Sequence, residues 1–197
     1  MCIRKICSVL VTLVFLSIIF TGCTPPVAKF RNVDITGADY AQGFSLTDMF
    51  GQPATLQSYS GKVVVMFFGY TQCPDICPTT MTELSEAMKV LGPSASDVQV
   101  LFVTLDPDRD TPELLKQYVP SFDKRFIGLY GSKEVIEATT REFKVYFGKV
   151  PGKTPQSYTI DHTAGTYVFD KGGKIRLFVR NGQDTSSFVE DLKILLH

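Results

Sequence analysis

The sequence predicts an α/β domain with a central mixed β-sheet that is flanked by helices. Strand-like and helix-like segments alternate from residue 63 onward, which is typical of a sheet with a parallel core. Two of the strand segments are continuous apolar runs, as in strands buried on both faces. Of the 197 residues, 44 % are hydrophobic and the net charge is zero, so one core is expected and no nucleic acid partner is indicated.

The N-terminal segment predicts export. Residues 1–22 begin with Arg4 and Lys5 and continue into an apolar run that ends at Phe20. This run is short for a spanning helix and fits a secretory signal. The ending FTGC resembles a bacterial lipobox, which makes Cys23 the lipidated first residue of the mature chain. An uncleaved signal anchor is the alternative. Both place the domain in the bacterial cell envelope, membrane-anchored on the extracytoplasmic face.

The rest of the chain divides into a tether and a folded domain. Residues 23–42 are interpreted as the lipidated N-terminus and tether, with a short strand near its end. Residues 43–197 are the predicted domain. The domain begins with GFSLTDMFGQPATLQSYSGK, in which turn residues separate short apolar pieces. This pattern predicts a small N-terminal hairpin at the edge of the domain.

The first long strand and its helix enclose a cysteine loop. Six apolar residues from Val63 to Phe68 predict a strand that is buried on both faces. Pro78 suits the first turn of the helix that follows. The apolar residues of that helix recur at helical spacing: Met81, Leu84, Met88 and Leu91.

The alternation continues through the middle of the chain. VQVLFVTLDP predicts a second buried strand that ends at Asp106. DTPELLKQYV predicts a helix with Thr111 as N-cap and Pro112 at the first helical position. FIGLYG predicts a short strand, and SKEVIEATTREF predicts a helix capped by Ser132.

The C-terminal third is less regular at its start. KVYFGKVPGKTPQSYTIDH has no helical period and is interpreted as an irregular loop with extended parts. TYVFD and KIRLFVR, joined by KGG, predict a hairpin. DTSSFVEDLKILLH predicts a final amphipathic helix capped by Asp184 or Thr185.

Cys73 and Cys77 are the residues that indicate chemistry. Of the five cysteines, Cys2 and Cys7 leave with the signal and Cys23 carries lipid, so only this pair remains. A bridge between residues so close in sequence removes little entropy from the unfolded chain, which makes stability a poor explanation. The pair follows the first long strand, and sites in such sheets lie at the carboxyl ends of strands. A redox pair at this position predicts a thioredoxin-like fold.

The helix after the pair predicts an acidic thiol. With Pro78 at the first helical position, Cys77 lies near the N-cap, where free N–H groups and the helix dipole stabilise a thiolate. We therefore expect at least one of the two thiols to have a pKa below that of a free cysteine. The C-x-x-x-C spacing is one residue longer than C-x-x-C, so both sulfurs can face one point without being forced into a bridge.

His162 adds a third donor. The chain has two histidines, and the other, His197, is the last residue. In a thioredoxin-like sheet the loop before the strand TYVFD lies close to the cysteine loop, so we expect His162 to face the thiols. Two thiolates and an imidazole favour Cu(I), and imidazole also suits Cu(II). Zinc usually takes four ligands in structural sites. Asp161 could supply the fourth, so zinc stays an alternative.

Three segments resemble the signature segments of the Sco/SenC family of copper proteins: GYTQCPDICPTT, VTLDPDRDTPE and YTIDHTAGTYVFD. They occur in the family's order, and the resemblance extends from about residue 40 onward. It implies a thioredoxin-like fold in a membrane-tethered domain, with copper bound by Cys73, Cys77 and His162. It also implies maturation of the binuclear CuA centre of cytochrome c oxidase, by delivery of copper or by reduction of that centre's cysteines.

Two acidic residues near the predicted site each have more than one role that fits the sequence. Asp106 ends the second strand and Asp161 precedes His162, so either one can position the histidine or a backbone N–H of the cysteine loop. The segment DPDRDTPE is also rich in turn formers, so Asp106 can instead cap a turn. The run DRD, residues 108–110, is interpreted as a solvated surface, with a docking patch as the alternative.

The residues leave alternative functions open. A copper chaperone would bind and transfer copper without being an enzyme in the usual sense. A thiol–disulfide oxidoreductase would use Cys73 and Cys77 as its catalytic redox pair. A peroxidase of the peroxiredoxin type is a third hypothesis, but the T-x-x-C pattern of such enzymes is missing. The expected partners are cytochrome c oxidase subunit II or another copper enzyme, a copper donor protein, a thiol reductant and the membrane.

Overall fold

A computed structural model describes residues 29–154 and 157–197. The predicted signal, residues 1–22, and the predicted lipidation site, Cys23, lie outside the described residues. None of the helices within the described ranges is long and apolar enough to span a membrane.

A mixed sheet forms the centre of the domain, and a separate pair of strands lies beside it. The strands in the described residues are β1 (Val33–Asp34), β2 (Leu46–Asp48), β3 (Pro53–Ala54), β4 (Val63–Gly69), β5 (Val98–Thr104), β6 (Ile127–Tyr130), β7 (Phe147–Pro151), β8 (Tyr158–His162), β9 (Gly165–Phe169) and β10 (Ile175–Arg180). The main sheet has the order β1-β10-β9-β4-β5-β6-β2-β3. Its β4, β5 and β6 are parallel, and its other neighbours are antiparallel.

The two apolar runs occupy the middle of this sheet. Every residue of β4 and of β5 is buried. The two strands pair in register from Val63 with Val98 to Gly69 with Thr104. Each is rich in β-branched and aromatic side chains, which pack well on a pleated surface covered on both faces. The prediction of two doubly buried strands is confirmed, and their carboxyl ends meet at one edge of the sheet.

Four α-helices in the described residues flank the sheet. They are α1 (Ile76–Leu91), α2 (Pro112–Tyr118), α3 (Lys133–Glu142) and α4 (Thr185–Leu196). The predicted caps Thr111, Ser132 and Asp184 each accept a hydrogen bond from a first-turn N–H and are confirmed. Helix α1 begins earlier than predicted, so Cys77 is its second residue and Pro78 its third.

The segment before β9 corrects one prediction. It was expected to be an irregular loop, but its two extended parts pair as β7 and β8, from Phe147 with His162 to Pro151 with Tyr158. This β7–β8 hairpin shares no ladder with the main sheet. Most of its residues are exposed or half-buried and, of the ten residues in these two strands, only Ile160 is buried, so the apolar signal of the pair is weak.

The N-terminal part of the described chain joins the sheet at its two edges. β2 and β3 form the predicted hairpin and extend the sheet beyond β6. β1 lies in the segment assigned to the tether and pairs with β10 at the opposite edge. Asp191 of α4 is buried and accepts bonds from the N–H groups of Arg31 and Asn32. Phe30, just before them, packs against the core and its ring centroid lies 5.4 Å from the guanidinium carbon of Arg176, so this segment is part of the folded domain.

Candidate metal and redox site

The cysteine loop lies between the end of β4 and the start of α1. Gly69 closes β4, and a Cβ at this position would lie 2.9 Å from the Sγ of Cys77. The absence of a side chain at Gly69 therefore lets the Cys77 thiol pack directly against the strand end. Cys77 is fully buried, whereas Cys73 is partly exposed. The N–H of Cys77 donates to the Sγ of Cys73 at 3.4 Å.

His162 ends β8 and faces Cys77. Its Nε2 lies 3.8 Å from the Sγ of Cys77. Its Nδ1 lies 3.1 Å from the carbonyl oxygen of Thr163, and because a carbonyl only accepts, this bond places the ring proton on Nδ1. The lone pair of Nε2 then faces the thiol. The rings of Phe67 and Tyr70 stand edge-on to the imidazole and help to fix its orientation.

The two thiols lie in opposite electrostatic environments. Burial raises the pKa of Cys73, but the N–H groups of Asp75 and Cys77 outweigh it, and the net pKa is below the ordinary value. Burial raises the pKa of Cys77 far above that value. The expectation of at least one acidic thiol is met by Cys73, which the N–H groups at the start of α1 reach, whereas the burial of Cys77 keeps the pKa of that thiol high. Burial also lowers the pKa of His162, which favours a neutral imidazole.

A groove of about 260 Å³ separates the cysteine loop from β8. Cys73, Pro74 and Ile76 line one wall, and Ile160 and His162 line the other. Two of the three sequence-predicted donors, Cys73 and His162, line this groove, and the third, buried Cys77, contacts His162. In the described residues, no three His, Cys, Asp or Glu side chains already surround one point closely enough for a finished metal site. Small side-chain shifts would be needed to close the donors around an ion.

This donor set fits a soft metal ion. Two sulfurs and a neutral imidazole nitrogen are the ligands that Cu(I) prefers. Asp161 is exposed and its carboxylate forms no hydrogen bond among the described residues, so it does not complete a zinc-type set of four as it stands.

Asp106 is buried beside the site but does not contact His162. Its carboxylate accepts from the Oη of Tyr158 at 2.7 Å and from the Nε of Arg109. Asp106 therefore reaches the β7–β8 hairpin at the opposite end of β8 from the histidine. The turn-capping alternative also has support, because the N–H groups of Arg109 and Asp110 bond to the carbonyl of Asp106.

Two residues of the site were missed in the sequence. The run DRD was interpreted as a solvated surface, yet Asp110 is 2 % exposed and the Arg109 side chain 19 % exposed. Asp110 accepts from the N–H and Oγ1 of Thr71 at 3.0 and 2.6 Å, and from the Oγ1 of Thr104 at 2.6 Å. A sequence signal was present: these charges directly follow the end of β5, at the edge where the cysteine loop begins.

Comparison with known proteins decides the family. The SCO1/SenC family model matches residues 33–197. The chain belongs to the SCO1/SenC family. A SCO2-like protein of Rickettsia typhi is 35 % identical over 172 residues, which cover 86 % of this chain and 85 % of that protein. The recognition made from the three sequence segments is confirmed.

Solved structures of SCO1/SenC proteins confirm the thioredoxin-like fold. Bradyrhizobium japonicum ScoI, described with copper bound, has a TM-score of 0.71 and 39 % identity over 78 % of this chain and 97 % of that chain. A SCO1/SenC family lipoprotein of Bacillus anthracis has a TM-score of 0.68 and 26 % identity over 79 % and 94 %. BsSco, described as a member of the Sco family of cytochrome c oxidase assembly proteins, is 22 % identical with a TM-score of 0.62 over 87 % and 98 %, and supports the fold alone.

Proposed function

We propose that this SCO1/SenC protein binds copper through Cys73, Cys77 and His162 and delivers it to the CuA centre of cytochrome c oxidase. The observation that carries the proposal is the approach of His162 Nε2 to Cys77 Sγ, at 3.8 Å, beside a groove that Cys73 and His162 line. A dithiol reductase needs no imidazole opposite its cysteines, whereas a copper site does. The copper-bound ScoI relative supports the same metal.

Each donor has a distinct part in the transfer. Cys77 and His162 lie deeper and hold the copper cargo, and Nδ1 of the histidine stays anchored on the Thr163 carbonyl. Cys73 is partly exposed at the mouth of the groove, so a cysteine of the acceptor can reach the ion beside it. Copper passes by stepwise exchange of thiolate ligands, with Cys73 the first to be replaced. Both thiols must be reduced for loading.

A second candidate function is reduction of the acceptor's copper-ligand cysteines. The observation that favours it is the pairing of an accessible Cys73 with a buried Cys77 whose N–H bonds to the Cys73 sulfur. Cys73 thiolate would attack the acceptor disulfide and form a mixed disulfide. Cys77 would then attack Cys73, release the acceptor as a dithiol, and leave a Cys73–Cys77 disulfide. A thiol reductant returns the two electrons.

The N-terminus supplies the proposed location. Residues 1–22 would direct export, lipidated Cys23 would hold the chain at the membrane, and the residues after it would connect the lipid to the domain contacts of Phe30 and Arg31. This arrangement places the groove on the extracytoplasmic face of the bacterial envelope, where subunit II of the oxidase or another copper enzyme, a copper donor and a thiol reductant would meet it. The Bacillus anthracis relative is described as a lipoprotein, which supports this mode of anchoring.

A copper titration tests the proposal. The reduced protein from residue 29 onward, which keeps the Arg31 contact with Asp191, is titrated with Cu(I) against a competing chelator. We expect one ion per chain, with the affinity reduced at least about tenfold in Cys73→Ala, Cys77→Ala and His162→Ala. His197→Ala is the matched histidine control and should bind as wild type.

The opposite results would separate the candidate functions. Weak binding by the wild type would refute the chaperone and leave the cysteine pair as a redox device. Binding that survives His162→Ala would refute the three-donor site.

A further inference from the structure

Residues 106–110, the brace, contact both walls of the groove. They follow β5 at the carboxyl edge of the sheet, where the N–H of Leu105 bonds to the carbonyl of Gly69 at 2.8 Å. This places the brace between the start of the cysteine loop and the β7–β8 hairpin. The side chains of Asp106, Arg109 and Asp110 are largely buried there.

The brace holds the hairpin through Tyr158. The Tyr158 hydroxyl donates to the buried carboxylate of Asp106 at 2.7 Å. The guanidinium carbon of Arg109 lies 3.6 Å from the centroid of the Tyr158 ring, and Nη1 of Arg109 donates to the Tyr158 carbonyl at 3.1 Å. Tyr158 is therefore held at its hydroxyl, its ring and its main chain. An exposed ion pair between Lys149 and Asp108 adds a weaker contact.

The brace also holds the cysteine loop. Asp110 accepts from the N–H and the hydroxyl of Thr71, two residues before Cys73. Arg109 Nη1 lies 3.3 Å from the Oε1 of Gln72, so this one guanidinium bonds to both walls of the groove. A movement of the brace would therefore change the distance between the two walls.

The hairpin depends on such side-chain contacts for its position. It has no backbone ladder with the main sheet, and a two-stranded hairpin alone is at best marginally stable in water. Tyr158 and His162 are the first and last residues of β8. They stand about 13 Å apart at about 3.3 Å per residue. Because β8 is paired with β7 along its length, a displacement at Tyr158 is carried to His162.

We propose that the brace is a positioning device for the histidine. Asp106 and Arg109 fix Tyr158, and β8 then sets where His162 stands relative to Cys77. Copper affinity thus depends on residues that never touch the ion. The copper part of this inference rests on the proposed copper site, whereas the hold of the brace on the hairpin does not.

The first test is hydrogen exchange of the metal-free, full-length chain. Tyr158→Phe keeps the aromatic ring and removes the hydroxyl that donates a hydrogen bond to Asp106. The matched control is Tyr146→Phe, at the residue immediately before β7, because Tyr146 is 70 % exposed and its hydroxyl has no partner in the described residues. We expect the β8 amides that pair with β7 to exchange at least about threefold faster in Tyr158→Phe, and at the wild-type rate in the control.

The second test is a double-mutant cycle on Cu(I) affinity in the same chain. Tyr158→Phe should lower the affinity about threefold to tenfold, below the 10- to 100-fold typical of direct partners of a ligand, because it acts through a strand. In the His162→Ala background the same change should have no effect, since the ligand that it positions is gone. Arg109→Lys keeps the positive charge but loses the planar guanidinium that stacks on the Tyr158 ring. It should likewise lower the Cu(I) affinity when His162 is present and have no effect in the His162→Ala background.

Each result decides a separate part of the inference. Exchange in Tyr158→Phe that matches Tyr146→Phe would refute the hold on the hairpin. An affinity loss of equal size with and without His162 would refute positioning of the histidine. If His162→Ala itself leaves copper binding intact, the proposed copper site fails, and the exchange experiment still decides whether the brace holds the hairpin.

Discussion

Gly69→Ala should crowd the buried side chains that pack against the end of β4, including the Cys77 thiol. An added Cβ would lie 2.9 Å from the Sγ of Cys77, 2.9 Å from a ring carbon of Phe67 and 3.0 Å from a ring carbon of Phe102. All three side chains are buried. Carbon contacts are comfortable at about 3.5–4.0 Å, so the neighbours must yield by roughly 0.5–1 Å.

The cost follows from overpacking of a close-packed core. Extra methyl groups in such positions destabilise by about 1–3 kcal/mol. Replacing a strand glycine by alanine recovers about 0.5 kcal/mol of backbone entropy, so a net loss of roughly 1–2 kcal/mol is expected. Because Cys77 Sγ is one of the crowded atoms, its approach to His162 should change as well. We expect weaker Cu(I) binding in the same variant.

Urea unfolding followed by circular dichroism measures the stability, and chelator competition measures the affinity. With a typical slope of about 1–3 kcal/mol per molar urea, the midpoint should fall by roughly 0.5–1 M. Gly43→Ala is the matched control, because nothing lies within 4 Å of its added Cβ. The control should be neutral or slightly stabilising. A Gly69→Ala protein as stable as the control, with unchanged copper affinity, would refute the argued packing.

Two further predictions concern stability. Asp191→Ala removes the acceptor of three hydrogen bonds from Arg31 and Asn32, so the free energy of unfolding in urea should fall by about 2–4 kcal/mol. Replacing the exposed neighbour, Glu190→Ala, should lower it by less than about 1 kcal/mol. Equal losses in the two variants would contradict this prediction. Hydrogen bonds from Ser186 and Ser187 lower the pKa of Asp184 in the folded protein. The stability that this carboxylate contributes as a cap is therefore fully present above the pKa that Asp184 has in the unfolded chain, and it is lost as the pH falls through the lower pKa of the folded state. The stability difference between wild type and Asp184→Ala should therefore shrink in acid, and a difference independent of pH would rule out the charged cap.

Local features were the predictable part of this fold. The strand of residues 63–68 was recognisable from an unbroken apolar run, and the caps Thr111 and Ser132 from residue types that bond to N–H groups within the next turn. The β7–β8 hairpin was missed because its strands are short and largely exposed, with one buried residue, Ile160, between them. It contacts the rest of the domain through side chains such as Arg109, which lies 49 positions away from Tyr158.

The acidic residues and the thiols of the site likewise combine features that the sequence predicts with features that depend on contacts distant in the chain. Asp110 resembles a surface charge in the run DRD, because its burial depends on Thr71, 39 positions away. The acidity of one thiol was predictable from the helix that follows the loop. Its assignment to Cys73 was not, because the burial that keeps the pKa of Cys77 high depends on contacts distant in the chain.

The sequence by itself determined the α/β class, the cysteine pair at a strand end and the single internal histidine, because these depend on residue types and on periods of a few residues. Only the tertiary structure decided that His162 lies 3.8 Å from a sulfur 85 positions away, that Cys77 is buried while Cys73 is partly exposed, and that residues 106–110 join the two walls of the groove. Such contacts arise when strands and loops distant in the chain pack together, and their geometry depends on the whole core rather than on any one segment.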